Sequence, residues 1–238
     1  MSGDFRELVR RIVAGDADGV SRCLATTPAL ATTPLANGAT RQAPAEFFIT
    51  EITHYVYAGD TALHVAAAAF QRPIAELLVA RGADWRAANR RAAQPLHYAA
   101  DANHWNPAAQ ADTIAYLTAV GADPNAVASS GVTPLHRAVR TRSLAAVRAL
   151  LDAGANPTQR NENGSTPLHL AVQPTGRSGA GSERAREQQA GIIALLLERG
   201  ARAADRDRQG KTVRAAATSE WIRDLLADPV ASSRRRRE

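Results

Sequence analysis

The side chains best suited to chemistry in this sequence are four histidines in a repeated context. They lie in T-A-L-H-V-A (His64), Q-P-L-H-Y-A (His97), T-P-L-H-R-A (His136) and T-P-L-H-L-A (His169). An imidazole can act as a general base or as a metal ligand. A metal centre, a proton-transfer site and a structural role are therefore the three uses to be distinguished.

Arginine is the second chemical feature of the chain. The formal net charge is +6, and Lys211 is the only lysine among 29 lysines and arginines. A basic chain can attract nucleic acid, an anionic membrane surface or an acidic protein. The charge alone does not choose among them, because arginines scattered over solvated faces give the same total.

Motifs of known enzyme classes are incomplete or missing. Gly210-Lys211-Thr212 matches the end of a phosphate-binding loop, but that pattern needs a glycine where the chain has Asp205, and a preceding strand. Neither G-x-S-x-G nor H-E-x-x-H occurs. Cys23 has no histidine or aspartate placed beside it by a motif, so we expect a small buried hydrophobe. The sequence predicts a protein that is not an enzyme, with no metal, cofactor or small-molecule substrate.

The elements that position these residues are clearest in residues 131–154. Thr133 is placed to cap a helix, and Pro134 suits the first helical position, where the missing N–H costs nothing. Ser143 opens a second helix with an apolar stripe at i, i+3, i+4 spacing. Gly154 then ends it, because glycine tolerates left-handed φ. The segment predicts two short helices folded back on one another.

The same pattern of two helices recurs along the chain. Each histidine motif is followed by an apolar run that ends in Gly-Ala, at residues 82–83, 121–122, 154–155 and 200–201. The T-P-L-H-x-A motif, its period of about 33 residues and the Gly-Ala stop together resemble the ankyrin repeat. This resemblance implies an all-α fold, an α-solenoid of stacked helix-turn-helix repeats with β-turn fingers, degenerate capping repeats at both ends, and inserted loops.

The resemblance also divides the chain. We expect one domain over residues 1–228, followed by a disordered arginine-rich tail over residues 229–238. The expected units are a degenerate first repeat (4–27), an inserted loop and β finger (28–58), four repeats (about 59–89, 90–127, 128–160 and 161–205) and a capping repeat (206–227).

The repeat favours a structural role for the histidines. Each falls in the first turn of a helix, where its imidazole can bond to a threonine hydroxyl and to backbone of the adjoining unit. One histidine per repeat cannot converge on a shared ion. The predicted structural motif residues are Thr61, His64, His97, Thr133, His136, Thr166 and His169.

Two repeats are longer than the others. The framework histidine precedes the terminating glycine by 18 residues in two units, and by 24 and 31 in the other two. Insertions of 6 and 13 residues therefore separate the paired helices, near residues 103–109 and 174–191, and insertions in arrays map to surface loops. The first should expose Trp105. In the second, Ser182 can cap a backward extension of the helix.

The resemblance implies protein binding through a concave face of first helices and finger tips. Arginine there suits a partner bearing carboxylates, because its planar guanidinium can hold a carboxylate with two hydrogen bonds. Trp85 alternatively packs on the next finger. The predicted partner-binding residues are Trp85, Arg86, Arg90, Arg91, Arg140, Arg142, Arg160 and Arg208.

A nucleic-acid-associated regulator that uses this arginine face and the tail at residues 234–237 is the alternative function. Against it stand the lack of a known nucleic-acid-binding fold and the poor interleaving of aromatic residues.

Residues 47–57 hold four of the eleven aromatic residues and alternate in part, which predicts an extended segment or short β finger. We expect the rings to cover the apolar flank of the first full repeat. The alternative is that some face a partner. The secondary partner-binding candidates are Phe47, Phe48, Tyr55 and Trp105.

Cellular location follows from three absences in the sequence. Residues 1–11 lack the apolar stretch of a secretory signal, no run approaches 18 apolar residues, and a single cysteine suits a reducing compartment. We therefore expect a cytoplasmic protein without a membrane partner.

Overall fold

A computed structural model of the chain describes residues 3–42, 45–101, 106–174 and 182–227. These residues form six helix pairs stacked in one array, so the predicted helical solenoid is confirmed. The first helices of the pairs are α1 (Gly3–Val13), α3 (Ala62–Ala68), α5 (Pro95–Ala99), α7 (Pro134–Arg140), α9 (Pro167–Ala171) and α11 (Val213–Ala216). The second helices are α2 (Ala17–Thr26), α4 (Arg72–Ala80), α6 (Pro107–Ala119), α8 (Leu144–Asp152), α10 (Glu183–Glu198) and α12 (Glu220–Ala227). The predicted tail at residues 229–238 lies outside the described residues.

The helices begin where side chains can replace missing backbone partners. Thr133, Ser143 and Ser182 each accept a hydrogen bond from the backbone N–H three residues later, at 3.4, 3.3 and 3.2 Å. Such a cap satisfies one of the donors left free in a first turn. All three predicted caps are therefore present, including the one that extends α10 backwards.

The core runs through the whole array. First helices pack on first helices and second helices on second helices, from one unit to the next. Leu96, Leu135 and Leu150 are among the side chains that this stacking removes from solvent almost completely. Since no pair could bury its apolar face alone, each unit depends on its neighbours for stability.

A glycine before most of the repeat motifs lets the next unit approach, whereas the motif of α5 has Ala92 at this position, with φ +54°. Gly131 has φ +71°, and a Cβ built on it would lie 2.7 Å from the backbone N of Glu162 in the following finger. Both the left-handed backbone and the close approach exclude a side chain there. The fingers are the turns that connect the second helix of one unit to the first helix of the next. Those of successive units therefore lie directly against one another.

The two insertions lengthen helices as well as loops. α6 has 13 residues and α10 has 16, against nine in α4 and α8. Asn106 caps α6 by accepting from the backbone N–H of Ala109 at 3.2 Å. The expectation of a surface loop over residues 103–109 is thus wrong for 107–109, because these residues continue the helix backwards. Trp105 and residues 175–181 lie outside the described residues.

The non-repeat insertion at residues 28–58 forms a short β hairpin, as its sequence predicts. Strands β1 (Phe48–Ile49) and β2 (His54–Tyr55) pair antiparallel, after two 3-10 turns at Pro28–Ala31 and Ala45–Phe47. Backbone bonds tie the insertion together and to the first full repeat, from Ala39 N to Val56 O and from Leu35 N to Asp60 O, both at 2.7 Å. Within the described ranges, no helix has the length and apolarity needed to span a bilayer.

Candidate functional site

The framework histidines join neighbouring units. The backbone N–H of Thr61 donates to His64 Nδ1 at 3.1 Å, and the Thr61 hydroxyl lies 3.0 Å from the same nitrogen. Because Nδ1 accepts, the proton resides on Nε2, which donates to the carbonyl of Ala93 in the next unit at 3.1 Å. The same bridge to the next unit recurs from His97 to Val132, from His136 to Ser165 and from His169 to Lys211, with Gln94, Thr133 and Thr166 in the place of Thr61.

These imidazoles are kept neutral. Burial lowers the pKa of all four, and that of His97 falls to about 3 through burial and the nearby Arg137 charge. Both ring nitrogens of each are already engaged in bonds within the fold. No group of three or more His, Cys, Asp or Glu side chains in the described part of the chain could hold a metal ion.

The strongest candidate for a binding site is a cavity of about 390 Å³ between the hairpin and the first helices of two repeats. We call it the inner cavity. The hairpin supplies one side, α5 and α7 the base, and the fingers of these units the other side. Its lining residues are Thr53, His54, Tyr55, Tyr57, Asn89, Arg91, Ala93, Tyr98, Asp101, Ala128, Ser129, Ser130, Val132, Arg137 and Arg140.

The inner cavity carries an excess of positive charge. Among the described residues, three guanidinium groups and one carboxylate line it. Asp101 pairs with Arg137 at 2.7 Å, with the two side chains only 9% and 14% exposed, whereas Arg140 lies 3.5 Å from the other carboxylate oxygen and is 64% exposed. Burial lowers the pKa of His54, so its imidazole adds no charge near neutral pH. Arg140 thus faces solvent at the cavity with most of its donors accessible.

Tyr57 orders the arginines at the other side of the inner cavity. The guanidinium carbons of Arg91 and Arg90 lie 4.8 and 5.4 Å from the centre of its ring. Arg91 also donates to the Tyr57 hydroxyl at 3.1 Å, and Arg90 donates to the carbonyl of Ala39. Cation–π contact holds both side chains in place without neutralising them. Arg91 is therefore a positioned cation, while Arg90 is committed to the insertion.

A buried carboxylate supports this part of the molecule. Asp60 is fully buried and accepts hydrogen bonds from the backbone N–H of Tyr57 at 2.6 Å, the hydroxyl of Tyr98 at 2.7 Å and Nδ2 of Asn89 at 2.8 Å. The three donors come from different parts of the fold: Tyr57 lies at the boundary of the insertion, Asn89 in a finger, and Tyr98 in α5. This network fixes the hairpin against the repeat array.

Sequence reasoning missed Asp60, Asn89, Tyr98 and Asp101. One signal was available. Asp60 occupies the middle position of Gly-x-Thr, where later units have Val132, Ser165 and Lys211, so an acidic residue there is specific to the unit that follows the insertion.

Several predicted binding residues lie away from the inner cavity. Arg142 is half-buried and donates to the carbonyls of Gln173 at 3.1 Å and Pro174 at 3.0 Å. These bonds give Arg142 a structural role between two units. Arg160 donates to the carbonyls of Gly164 and Arg206 and joins two fingers. Arg208 is exposed on the finger beyond them. The structure does not bring these three side chains to the cavity.

Trp85 packs against the next unit, and its role in partner binding stays a prediction. It is half-buried, and its indole lies about 3.5 Å from the Cβ position of Gly121 in the next unit, which is the packing alternative. Arg86 is exposed, and its guanidinium carbon lies 5.5 Å from the Trp85 ring centre.

The aromatic side chains of the hairpin differ in their exposure to solvent. Phe47 is buried, whereas Phe48 is half-buried and stacks with its ring centre 4.7 Å from that of Tyr55, which is 38% exposed. Phe47 covers the core as expected, and Tyr55 alone of the three reaches the inner cavity. Trp105 lies outside the described residues.

Comparison with known protein families agrees with this architecture. A family model described as ankyrin repeats in three copies matches residues 105–180. A model of the single ankyrin repeat matches residues 58–90 and 163–211. No curated protein matches the chain closely.

Proposed function

Because the chain belongs to the ankyrin repeat family, we propose that it is a non-enzymatic binding protein that holds an acidic protein partner. Repeats of this family generally act as protein-interaction modules. The binding surface is the one formed by the first helices and the fingers, centred on the inner cavity. The finger arginines farther along the array contribute less, because Arg160 is already bonded to backbone carbonyls.

One observation carries the proposal. Arg91, Arg137 and Arg140 come from two different repeats and converge on a cavity in which Asp101 is the one carboxylate among the described lining residues. Charges of one sign in a concave site attract the opposite charge and speed association at low salt. A solvated face of scattered arginines has no reason to converge in this way.

The arrangement favours an acidic protein over nucleic acid. A duplex needs a stripe of cations matched to successive phosphates, with affinity that falls steeply with salt. The cavity arginines are instead grouped around one concave site, beside Tyr55 and Tyr57. Nucleic acid is therefore an outcome of the test below and not a second proposal.

The experiment compares two double variants of equal charge. Arg91→Gln/Arg140→Gln removes two cations from the inner cavity, and Arg81→Gln/Arg148→Gln removes two exposed cations from the second-helix side. Glutamine avoids new repulsion with Asp101. We expect proteins captured from a lysate of the source organism by the wild type to be retained by the second variant and lost from the first, as identified by mass spectrometry.

Thermal melts check that both variants remain folded. Equal capture by the two variants would place the binding surface elsewhere. A salt titration with duplex DNA accompanies the capture. Tight DNA binding by the wild type that is lost in the Arg91→Gln/Arg140→Gln variant would replace the protein partner with nucleic acid.

A further inference from the structure

The hairpin gives this array a feature that the repeat itself does not supply. Stacked helix pairs and fingers present an open surface. Here the insertion at residues 28–58 adds a side to that surface, through Thr53, Tyr55 and Tyr57, and encloses a volume of about 390 Å³. This volume is within the range of roughly 300–1,000 Å³ usual for pockets that bury a small ligand. The concave shape suits one inserted group better than a broad surface contact.

The enclosing side is held rigidly. The backbone N–H of Val56 donates to the carbonyl of Phe47 at 2.8 Å, and Ala39 donates to Val56 at 2.7 Å. Asp60 accepts from the backbone of Tyr57 at 2.6 Å. On the opposite side, the Ser129 hydroxyl donates to the Arg91 carbonyl at 2.8 Å and holds that finger in place. A cavity ordered before binding spares the entropy of ordering it on binding.

The donors that face the cavity are unequally committed. Arg137 pairs with Asp101 at 2.7 Å and is only 14% exposed. Within the described residues, Arg140 makes only the 3.5 Å ion pair, and the Arg91 side chain makes one hydrogen bond, to Tyr57. A guanidinium has five N–H donors, so both retain most of theirs. Both arginines line the same cavity, so an anion there would meet two guanidinium groups, of which Arg91 is held in place by Tyr57.

The shape of the guanidinium group determines which anion fits best. Asp101 is paired with Arg137, and Arg91 and Arg140 are the lining arginines that retain most of their donors. A carboxylate carries one charge and matches the planar fork of arginine with two parallel hydrogen bonds.

We propose that the inner cavity binds a single carboxylate of an extended segment of the partner, held between Arg91 and Arg140. The carboxylate belongs to an Asp or Glu side chain or to the chain's C-terminus, and the experiment distinguishes these sources. The proposal rests on the proposed function and specifies the chemistry of its central contact.

The probes are three pools of fluorescently labelled nine-residue peptides, read by fluorescence polarisation with the full chain. The first pool contains Asp and Glu and ends in an amide. The second lacks both residues and ends in a free carboxylate, and the third lacks both and ends in an amide. We expect binding of the first or second pool and none of the third. The binding pool identifies the source of the carboxylate.

Three variants locate the binding. Arg140→Gln should weaken it about tenfold or more, because one charged fork is lost. Ser129→Trp keeps every arginine, and its backbone N–H still donates to the Arg91 carbonyl at 2.8 Å, but the larger side chain fills the cavity and should weaken binding to a similar extent. The matched control, Arg148→Gln, removes an exposed arginine from the second-helix side and should leave binding unchanged. Melts verify that all three variants are folded.

Equal binding of the neutral amidated pool, or full binding by folded Arg140→Gln and Ser129→Trp proteins, would overturn the proposal. So would the absence of binding by every pool. If protein capture nevertheless depends on Arg91 and Arg140, the acidic partner stands and the single-carboxylate contact is wrong. The two proposals therefore fail separately.

Discussion

Replacing the buried carboxylate of Asp60 tests how the hairpin is attached to the array. Asp60→Ala leaves three donors without their acceptor: the Tyr57 amide, the Tyr98 hydroxyl and the Asn89 amide. Each buried donor left unsatisfied costs about 1–3 kcal/mol. The costs do not add fully, because the Asn89 amide still donates to the Tyr98 hydroxyl at 2.9 Å and because burying a carboxylate is itself unfavourable. We therefore expect the free energy of unfolding to fall by about 3–5 kcal/mol.

A urea titration at neutral pH measures this loss, and hydrogen exchange locates it. Protection should fall first in the hairpin and in the repeat that contains α3 and α4, because neighbours in a repeat array are coupled only locally. The control is Asp123→Ala. Among the described residues, the exposed Asp123 side chain accepts one hydrogen bond, from the backbone N–H of Asn125 in a finger turn, so its loss should cost less than about 1 kcal/mol.

The reasoning about Asp60 also predicts coupling. Tyr98→Phe removes one of the three donors, so its effect should be smaller in the Asp60→Ala background than in the wild type, by about 0.5–3 kcal/mol. Equal stability losses for Asp60→Ala and Asp123→Ala, or strict additivity with Tyr98→Phe, would show that the network does not hold the hairpin.

Two further predictions concern the pH dependence of stability and the close backbone contact at Gly38. Burial lowers the folded-state pKa of His97 from 6.5 to about 3, so the unfolded chain binds more protons below pH 6.5. Its contribution is fully present above pH 6.5 and is lost as the pH falls towards 3, at about 1.4 kcal/mol per pH unit. Urea titrations at pH 7, 6 and 5 should show this slope flattened in His97→Gln, and an unchanged slope contradicts the assignment. Gly38→Ala should destabilise the chain by about 1–3 kcal/mol, because its Cβ would lie 2.2 Å from the backbone N of Ala58, whereas Gly3→Ala meets nothing within 4 Å and should leave the melting temperature unchanged.

Local features of the fold were predictable because they depend on neighbours in sequence. The caps at Thr133, Ser143 and Ser182 each join groups three residues apart, so spacing alone identifies them. The histidine bridges were predictable for a related reason. Each repeat places its histidine against the next unit in the same way, so one motif describes four contacts.

The length of α6 was predicted less well. The Pro in Asn106-Pro107 reads as a loop residue in sequence, but it also suits the first position of a helix. Packing of α6 against α4 and α8 decides between the two, because it rewards a longer helix with more buried surface. Helix propensity alone does not include the free energy gained from this burial.

The candidate site illustrates the same limit. Composition indicated arginine. The repeat motif indicated where the first helices and fingers lie, and arginine on that face indicated an acidic partner. Neither distinguished Arg140, which reaches the inner cavity, from Arg142, which bonds to backbone carbonyls two positions later. Their different fates follow from the end of α7, where Arg142 adopts φ +58° and turns into the next unit.

The spacing of residues in the sequence was thus enough to establish the repeat, its caps and its histidine bridges, because these features recur in unit after unit. The inner cavity required the folded molecule. Tyr57, Arg91 and Arg140 are far apart in sequence and belong to an insertion and two repeats, and no periodic rule relates them. They meet because stacking fixes the repeats relative to one another and Asp60 fixes the insertion to the first of them.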